Sequence, residues 1–251
     1  MTSLGKIDKQ TIQEEEYALP YHYEDLFSEE KALRAIEYLD YLHLVRDELS
    51  PLHGKKVLDI GCGDGRFIYE LRGKGSNLAG IDLSERAIAF ARAFNPHVFF
   101  HVGSLKQFPD RKKWDAITLI EVLEHIPPSH VNSFLTEVVS RIHPGGKLIV
   151  TVPSVKRELV AKHYCHFTES TLIDLLKPHV EIVKVIGYGK KDLNRMVFET
   201  GRRLILLLHP FRHRVPFLRG ARIGLIRFYR DRIGVGPTNV CTGMLAVGIK
   251  R

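Results

Sequence analysis

The stretch Asp59-Ile60-Gly61-Cys62-Gly63-Asp64-Gly65 sets three glycines at alternate positions behind a short apolar run, with a carboxylate two residues ahead of the first glycine. Glycine there lets the backbone turn sharply and come close to a ligand at the start of the next helix. The spacing is GxGxG, not the GxGxxG that wraps a pyrophosphate, and the charge of Asp59 repels a phosphate and attracts a cation. Asp82 follows Asp59 by 23 residues, at the end of a second apolar run. A carboxylate at that place accepts hydrogen bonds from ribose hydroxyls. Together these features predict a cationic nucleoside without phosphates as the ligand.

A second group of chemically capable side chains lies downstream. Glu121, Glu124 and His125 follow the fourth apolar run, and His163 and His166 follow the fifth. Carboxylates and imidazoles are the groups that remove a proton from a hydroxyl nucleophile. Glu124, His125 and His166 are the catalytic candidates, with His125 or His166 as base. His163 by itself reads as a solvated loop histidine.

These residues need a scaffold that brings distant loops together, and the periodicity supplies one. Residues 11–49 show apolar positions at helical spacing, closed by Ser50-Pro51 and Gly54. Strands are expected at Lys56–Ile60, Asn77–Ile81, Val98–Val102, Ala116–Ile120 and Lys147–Thr151. Helices are expected at Gly65–Leu71, Ser84–Phe94 with Ser84 as N-cap, and Ser129–Ile142, the last ended by Pro144-Gly145-Gly146. A helix at Thr168–Leu176 and strands at Glu181–Ile186 and Met244–Ile249 complete the pattern. Strand–helix alternation with short links predicts an α/β fold around a mainly parallel sheet. The expected organisation is an N-terminal helical cap (1–50), a core (51–189), a basic insertion (190–238) and a final core strand (239–251).

In order from Lys56 to Pro153, the segments VLDIGCGDGRF, GIDLSERAI, the Gly103-Ser104-Leu105 turn, WDAITLIEVLEHI and HPGGKLIVTVP resemble the successive motifs of class I S-adenosylmethionine-dependent methyltransferases. The resemblance implies a doubly wound, Rossmann-like, seven-stranded sheet with an antiparallel last strand. S-adenosylmethionine would lie over the carboxyl ends of the parallel strands. It places Asp59, Gly61, Gly63 and Gly65 along the methionine part, Asp82 on the ribose and Leu83 against the adenine. Ser104 and Leu105 would flank the adenine, although many members carry Asp where Ser104 stands, and Glu121 would hold the loop or the cofactor. Cys62 and Asp64 fall at variable positions of such loops. The expected reaction is in-line methyl transfer to an oxygen of a small or lipid-linked metabolite, without a metal.

Glu121, Glu124 and His125 with a later His166 also resemble the metal-binding pattern of small-RNA 3′-terminal ribose 2′-O-methyltransferases, whose two Glu and two His hold a divalent cation. The stretch Thr151-Val152-Pro153-Ser154 lacks that family's Pro-Asn-x-Glu pattern, which puts an RNA end second as acceptor. A non-catalytic nucleoside-binding scaffold acting through its basic arm is the alternative outside enzymes.

The net charge of +8 is concentrated in one place. Lys190–Arg232 holds twelve Lys and Arg against three acids, which makes it +9 and leaves the rest at −1. That segment is expected to be a solvated lid over the acceptor, an interfacial helix on anionic lipid, or a grip on a phosphate-bearing acceptor. No apolar run approaches the ~20 residues of a membrane span, and the polar N-terminus has no apolar stretch of a secretory signal. Three scattered cysteines without a CxxC pair argue against a disulfide framework or zinc, so a cytoplasmic location is expected.

Overall fold

A computed structural model describes residues 9–109, 112–211 and 217–251. In chain order the regular elements are α1 (Lys9–Glu16), α2 (Glu29–Arg34), α3 (Ile36–Leu49), β1 (Lys56–Ile60), α4 (Arg66–Glu70), β2 (Asn77–Asp82), α5 (Glu85–Phe94), β3 (Phe99–Val102) and β4 (Trp114–Ile120). They continue with α6 (Val131–Ser140), β5 (Ile142–Pro153), α7 (Glu169–Leu176), β6 (Glu181–Lys190), α8 (Leu193–Leu208), α9 (Leu218–Tyr229), β7 (Val235–Gly236) and β8 (Cys241–Ile249).

One sheet in the order β3-β2-β1-β4-β5-β8-β6-β7 organises the molecule. β1 pairs parallel with β2 and β4, β2 with β3, and β4 with β5, while β8 inserts antiparallel between β5 and β6. This is the expected doubly wound fold with its antiparallel last strand, plus an eighth, two-residue strand. That strand, β7, lies inside the expected basic insertion and pairs with the end of β6.

Successive strand residues point to opposite faces, and both faces are covered. On β5 and β8, Leu148, Val150, Val152, Met244 and Ala246 enter one core with Leu135 and Val138 of α6 and Leu172 of α7. Their neighbours Ile149, Leu245 and Val247 enter the opposite core with Leu42, Val45 and Leu49 of α3. Burial on both faces is why these strands are nearly continuous apolar runs.

The expected helix end at Pro144-Gly145-Gly146 is displaced. α6 stops at Ser140, and those residues form an irregularity inside β5, whose pairing with β4 jumps from Trp114–Ile142 to Ala116–Lys147. Backbone bonds to the last strand region hold it, with Gly145 N–H donating to Lys250 O at 2.8 Å and Lys250 N–H to Gly146 O at 2.9 Å. The anticipated N-cap is present: Ser84 Oγ accepts from Ala87 N–H at 3.0 Å.

α8 and α9 leave the sheet at the carboxyl end of β6 and return to the start of β8. Since β6 runs parallel to β5, this is the sheet end that carries the loops after β1, β2 and β4. Arg195 Nη2 anchors α8 to Glu37 Oε2 of α3 at 2.6 Å, and Phe198, Ile36, Tyr229 and Ile233 form a small core beneath it. Arg212 and Arg214 of the basic segment, and residues 1–8 of the expected cap, lie outside the described residues.

Candidate active site

At the carboxyl ends of β1, β2, β4 and β5 a cleft of about 380 Å³ opens. Asp59, Gly61, Gly63 and Asp82 line one part of it, and Glu121, Glu124, His125 and His163 another. Tyr17, Tyr21, His22 and Tyr38 of the N-terminal region complete the enclosure.

The glycine loop turns through left-handed backbone at Gly61, Gly63 and Gly65, with φ of +74°, +53° and +78°. At Gly63 a side chain would collide with the hydroxyl of Tyr17, so the absence of Cβ lets the N-terminal region close onto the loop here. Gly65 does different work. A Cβ there would meet Ala91 at 2.9 Å and Asn95 at 3.0 Å, so this glycine allows the loop to pack on α5 rather than face the cleft.

Asp82 closes the loop from the side. Its Oδ2 accepts from Gly63 N–H at 2.8 Å and its Oδ1 from Ser84 N–H at 2.9 Å. Each oxygen retains lone-pair capacity toward the cleft. Burial raises the Asp82 pKa, opposed by these backbone donors. Asp59 is 3% exposed and accepts from Thr118 Oγ1 at 2.6 Å. Burial pushes it up to about 7, with the Thr118 bond opposing and the Asp82 charge adding. Two buried carboxylates that resist ionisation form a setting that a positive charge relieves. The glycine backbone along the cleft and this unmet demand for a cation fit S-adenosylmethionine.

Three other expected contact residues sit in the turns that follow β2 and β3. Leu83 is exposed at the end of β2, Leu105 is buried in the main core, and Ser104 forms a capping box with Gln107. Asp64, a variable position by resemblance, is fully buried and takes His22 Nδ1 at 3.0 Å, while neighbouring Arg66 grips Asp25. The pair straps the N-terminal region onto the glycine loop. α1 crosses to the far wall, where Lys9 Nζ donates to His163 O at 2.6 Å and Glu16 pairs with Lys162 at 2.6 Å.

On the acceptor side, Glu121 is the one described non-glycine residue with positive φ, +54°. Such a conformation costs about 1–3 kcal/mol and persists only when its surroundings demand it. Here Tyr188 Oη donates to Glu121 Oε1 at 2.8 Å and Arg157 Nη1 to Oε2 at 3.0 Å. Its carboxylate is thus engaged by β6 and by the loop after β5.

Glu124 lies in a short 3₁₀ turn, fully buried, with neither carboxylate oxygen hydrogen-bonded within the protein. Burial, then the charge of Glu121, drives its pKa well above the usual range. His125 approaches it, Nε2 to Oε1 at 4.0 Å, and burial with the Lys162 charge lowers His125 to about 4. His163 is 8% exposed and packs edge-on against His125, with ring centroids 4.7 Å apart. Burial, then His125 and His166, lower it to about 3. His163 is therefore not the solvated loop histidine that its sequence context suggests. The Lys9 bond and the fold of the 154–167 loop turn it inward.

His166 stands behind His163, and the hydrogen bonds assign both tautomers. His166 Nδ1 lies 3.1 Å from the carbonyl of Arg157, which can only accept, so Nδ1 carries the proton. His166 Nε2 then accepts from His163 Nδ1–H at 2.8 Å, leaving the Nε2 lone pair of His163 available. Glu124, His125 and His163 each offer one ligand atom, all within 4.8 Å of one another, and are able to hold a metal ion.

A methyltransferase-domain family model matches residues 33–179, more than half of the chain. Curated relatives include the ubiquinone biosynthesis O-methyltransferases of Aromatoleum aromaticum, 33% identical over 141 residues, and of Thiobacillus denitrificans, 36% identical over 107. The alignments cover 52% and 40% of this chain and 56% and 45% of those proteins. The chain thus spans about half the length of the curated relatives it matches. Among solved structures, the N-methyltransferase NodS of Bradyrhizobium japonicum, in complex with S-adenosyl-L-homocysteine, superposes with a TM-score of 0.58 at 17% identity, covering 97% of this chain and 98% of that one. The [4+2]-cyclase SpnF shares the fold at a TM-score of 0.54 and 18% identity, over 84% of this chain and 80% of that one. Fold likeness alone therefore leaves the reaction open. The family match over 33–179, together with a cleft fitted to S-adenosylmethionine at the carboxyl ends of a doubly wound sheet, makes this chain a member of the methyltransferase-domain family.

Proposed function

We propose that the protein transfers a methyl group from S-adenosylmethionine to an oxygen of a small or lipid-linked acceptor. The observation that carries this reading is the juxtaposition, in one cleft, of the Asp59–Gly61–Gly63–Asp82 wall with the Glu124–His125–His163 cluster. The names of the relatives, O-methyltransferases of ubiquinone biosynthesis, support oxygen as the acceptor atom. Asp82 would bind the ribose, and the backbone at Gly61 and Gly63 with the Asp59 charge would hold the amino-acid part. S-adenosylmethionine supplies an electrophilic methyl on a sulfonium, so the protein's task is to position an oxygen in line and receive its proton. His125 and His163 are neutral at physiological pH and each is able to take up a proton.

Their basicity bears on two forms of the site. A hydroxyl of phenolic type has a pKa near ~10, and an imidazole lowered to about 4 is a weak base for it. The unpartnered carboxylate of Glu124 beside two imidazoles favours a second reading, in which Glu124, His125 and His163 hold a divalent cation. Such a cation would lower the pKa of a hydroxyl bound to it, so that the proton could leave to solvent while His125 and His163 serve as ligands rather than bases. This set differs from the one suggested by the RNA-end resemblance, because Glu121 is held by Tyr188 and Arg157 and His166 stands behind His163. The test is release of S-adenosylhomocysteine with nucleic acid, lipid and metabolite fractions as acceptors, with and without chelator. Turnover confined to the nucleic-acid fraction would replace the acceptor class, and absence of turnover with every fraction would leave the non-catalytic scaffold.

A further inference from the structure

α8 shows its apolar side to solvent. Leu193, Met196, Val197, Leu204 and Leu207 are 54–74% exposed and recur at steps of three, four and seven residues. At about 100° per residue they fall within an arc of roughly 120°. The opposite side of the helix carries the polar work: Arg195 pairs with Glu37 and Glu199, and Arg202 with Glu199. A surface helix of a globular protein has these faces the other way round. Beyond the end of α8, Phe211 is 54% exposed, and Phe217, just before α9, is 68% exposed. An apolar surface of this extent marks a site that another body covers.

The charges on the same surface identify that body. Arg203 flanks the α8 stripe, and Arg219 and Arg227 lie on the exposed side of α9 with Ile223. None of these three arginines makes an ion pair among the described residues, whereas Arg230 is engaged by Asp40. Within α8 and α9 no carboxylate belongs to either exposed face; Glu199 is turned inward, Asp192 is occupied as the α8 N-cap, and exposed Asp231 lies beyond the end of α9. An apolar ridge set among unpaired arginines is complementary to a bilayer surface of anionic lipid, where the apolar groups enter the acyl boundary and the guanidinium groups meet headgroup phosphates. A symmetric pairing of two copies through this face would oppose like charges.

We propose that the exposed faces of α8 and α9 dock the protein on anionic membranes. The helices rise from the sheet end that carries the cleft, and Lys191 Nζ at their base reaches Lys156 O at 3.4 Å, next to the cleft residue Arg157. No helix among the described residues is long and apolar enough to cross a membrane, so the attachment is peripheral. The inference stands apart from the methyl-transfer reading, since it concerns a surface that reading does not use.

The test is co-sedimentation of the full chain with vesicles of phosphatidylcholine alone and of phosphatidylcholine mixed with phosphatidylglycerol. Binding is expected to the mixed vesicles, falling as salt rises. Arg203→Gln, Arg219→Gln and Arg227→Gln together should weaken it roughly a hundredfold. Leu204→Ser with Leu207→Ser should weaken it by tenfold or more. All five side chains are exposed, and unchanged circular dichroism and cofactor binding would show that the variants are folded. Equal binding of wild type and both variants would overturn the proposal. So would self-association without vesicle binding, relieved by the leucine changes, which would assign the face to a second copy. Binding to neutral vesicles that the arginine variant retains would overturn the charge-matched part of the proposal.

Discussion

His163 donates through Nδ1–H to His166 Nε2 at 2.8 Å, and His166 is itself fixed by the Arg157 carbonyl. The relay orients a buried imidazole so that its remaining lone pair is free for a proton or a cation. On the proposed reading His166 would act through His163, as a positioning residue. His166→Ala should lower kcat about 10–100-fold, the range found when an orienting partner of a ligand histidine is removed, with cofactor affinity unchanged. Stopped assays with calorimetry on the same preparation would check it. A matching loss of cofactor affinity would show general damage to the site instead.

Glu124 carries a stability consequence opposite to its functional one. A buried carboxylate without partners burdens the fold, and an isosteric amide removes the charge. In metal-free protein, Glu124→Gln should raise thermal stability, by about 1–3 kcal/mol, while reducing turnover severely. Calorimetric melting with and without chelator separates the two effects. If the divalent reading holds, chelator abolishes wild-type activity and Mn²⁺ or Mg²⁺ restores it.

Asp82 should be required for cofactor binding. Asp82→Asn keeps an oxygen for one backbone donor but loses the charge, and should weaken S-adenosylmethionine by about tenfold or more. Titration calorimetry reads this directly. Equal affinity in a folded variant would remove Asp82 from the ribose.

Asp59 sets a pH signature. Its folded pKa, about 7, lies above an unfolded value near ~3.9, so the native state binds more protons between those limits. The stability associated with the neutral carboxyl is fully present below ~4 and is lost as pH rises through 7. Asp59→Asn should therefore melt above wild type at pH values above 7, and the gap should close toward the unfolded pKa. A cationic cofactor beside Asp59 should expel its proton, so binding just below pH 7 releases protons and binding well above it does not. Calorimetry in buffers of different ionisation enthalpy counts them.

Glu37 ties the helical pair to the body, through Arg195 at 2.6 Å and Thr242 at 3.2 Å. Glu37→Ala leaves Arg195 half-buried with its Glu199 contact alone, and should cost about 1–3 kcal/mol. Limited proteolysis should then cut within residues 193–211 sooner than elsewhere.

The alternation of apolar runs was enough to read a mainly parallel α/β sheet, and the glycine spacing with Asp59 and Asp82 to expect a cationic nucleoside, because each is a local pattern with a local physical cause. The winding of the sheet came from the resemblance of the ordered motifs. The strand positions of Leu148, Ile149 and Val150 follow from apolar continuity in the same way. Local pattern does not report direction. Gly65 belongs to the same motif as Gly63 yet faces α5, and Leu105 turns into the core while its neighbour Ser104 stays half-buried, because neighbouring elements decide which way a turn looks. His163 carries no sequence mark of burial; it enters the site because Lys9, 154 residues away, and His166 hold it there. The pairing of Glu121 with Tyr188 joins β4 to β6 across 67 residues, and no spacing rule reaches that far. In α8 the apolar stripe is visible in the sequence, but periodicity states only that a face exists. Which way the face looks is a tertiary matter: half-buried Arg195 on the opposite side of the helix pairs with Glu37 of α3, a contact that periodicity does not report.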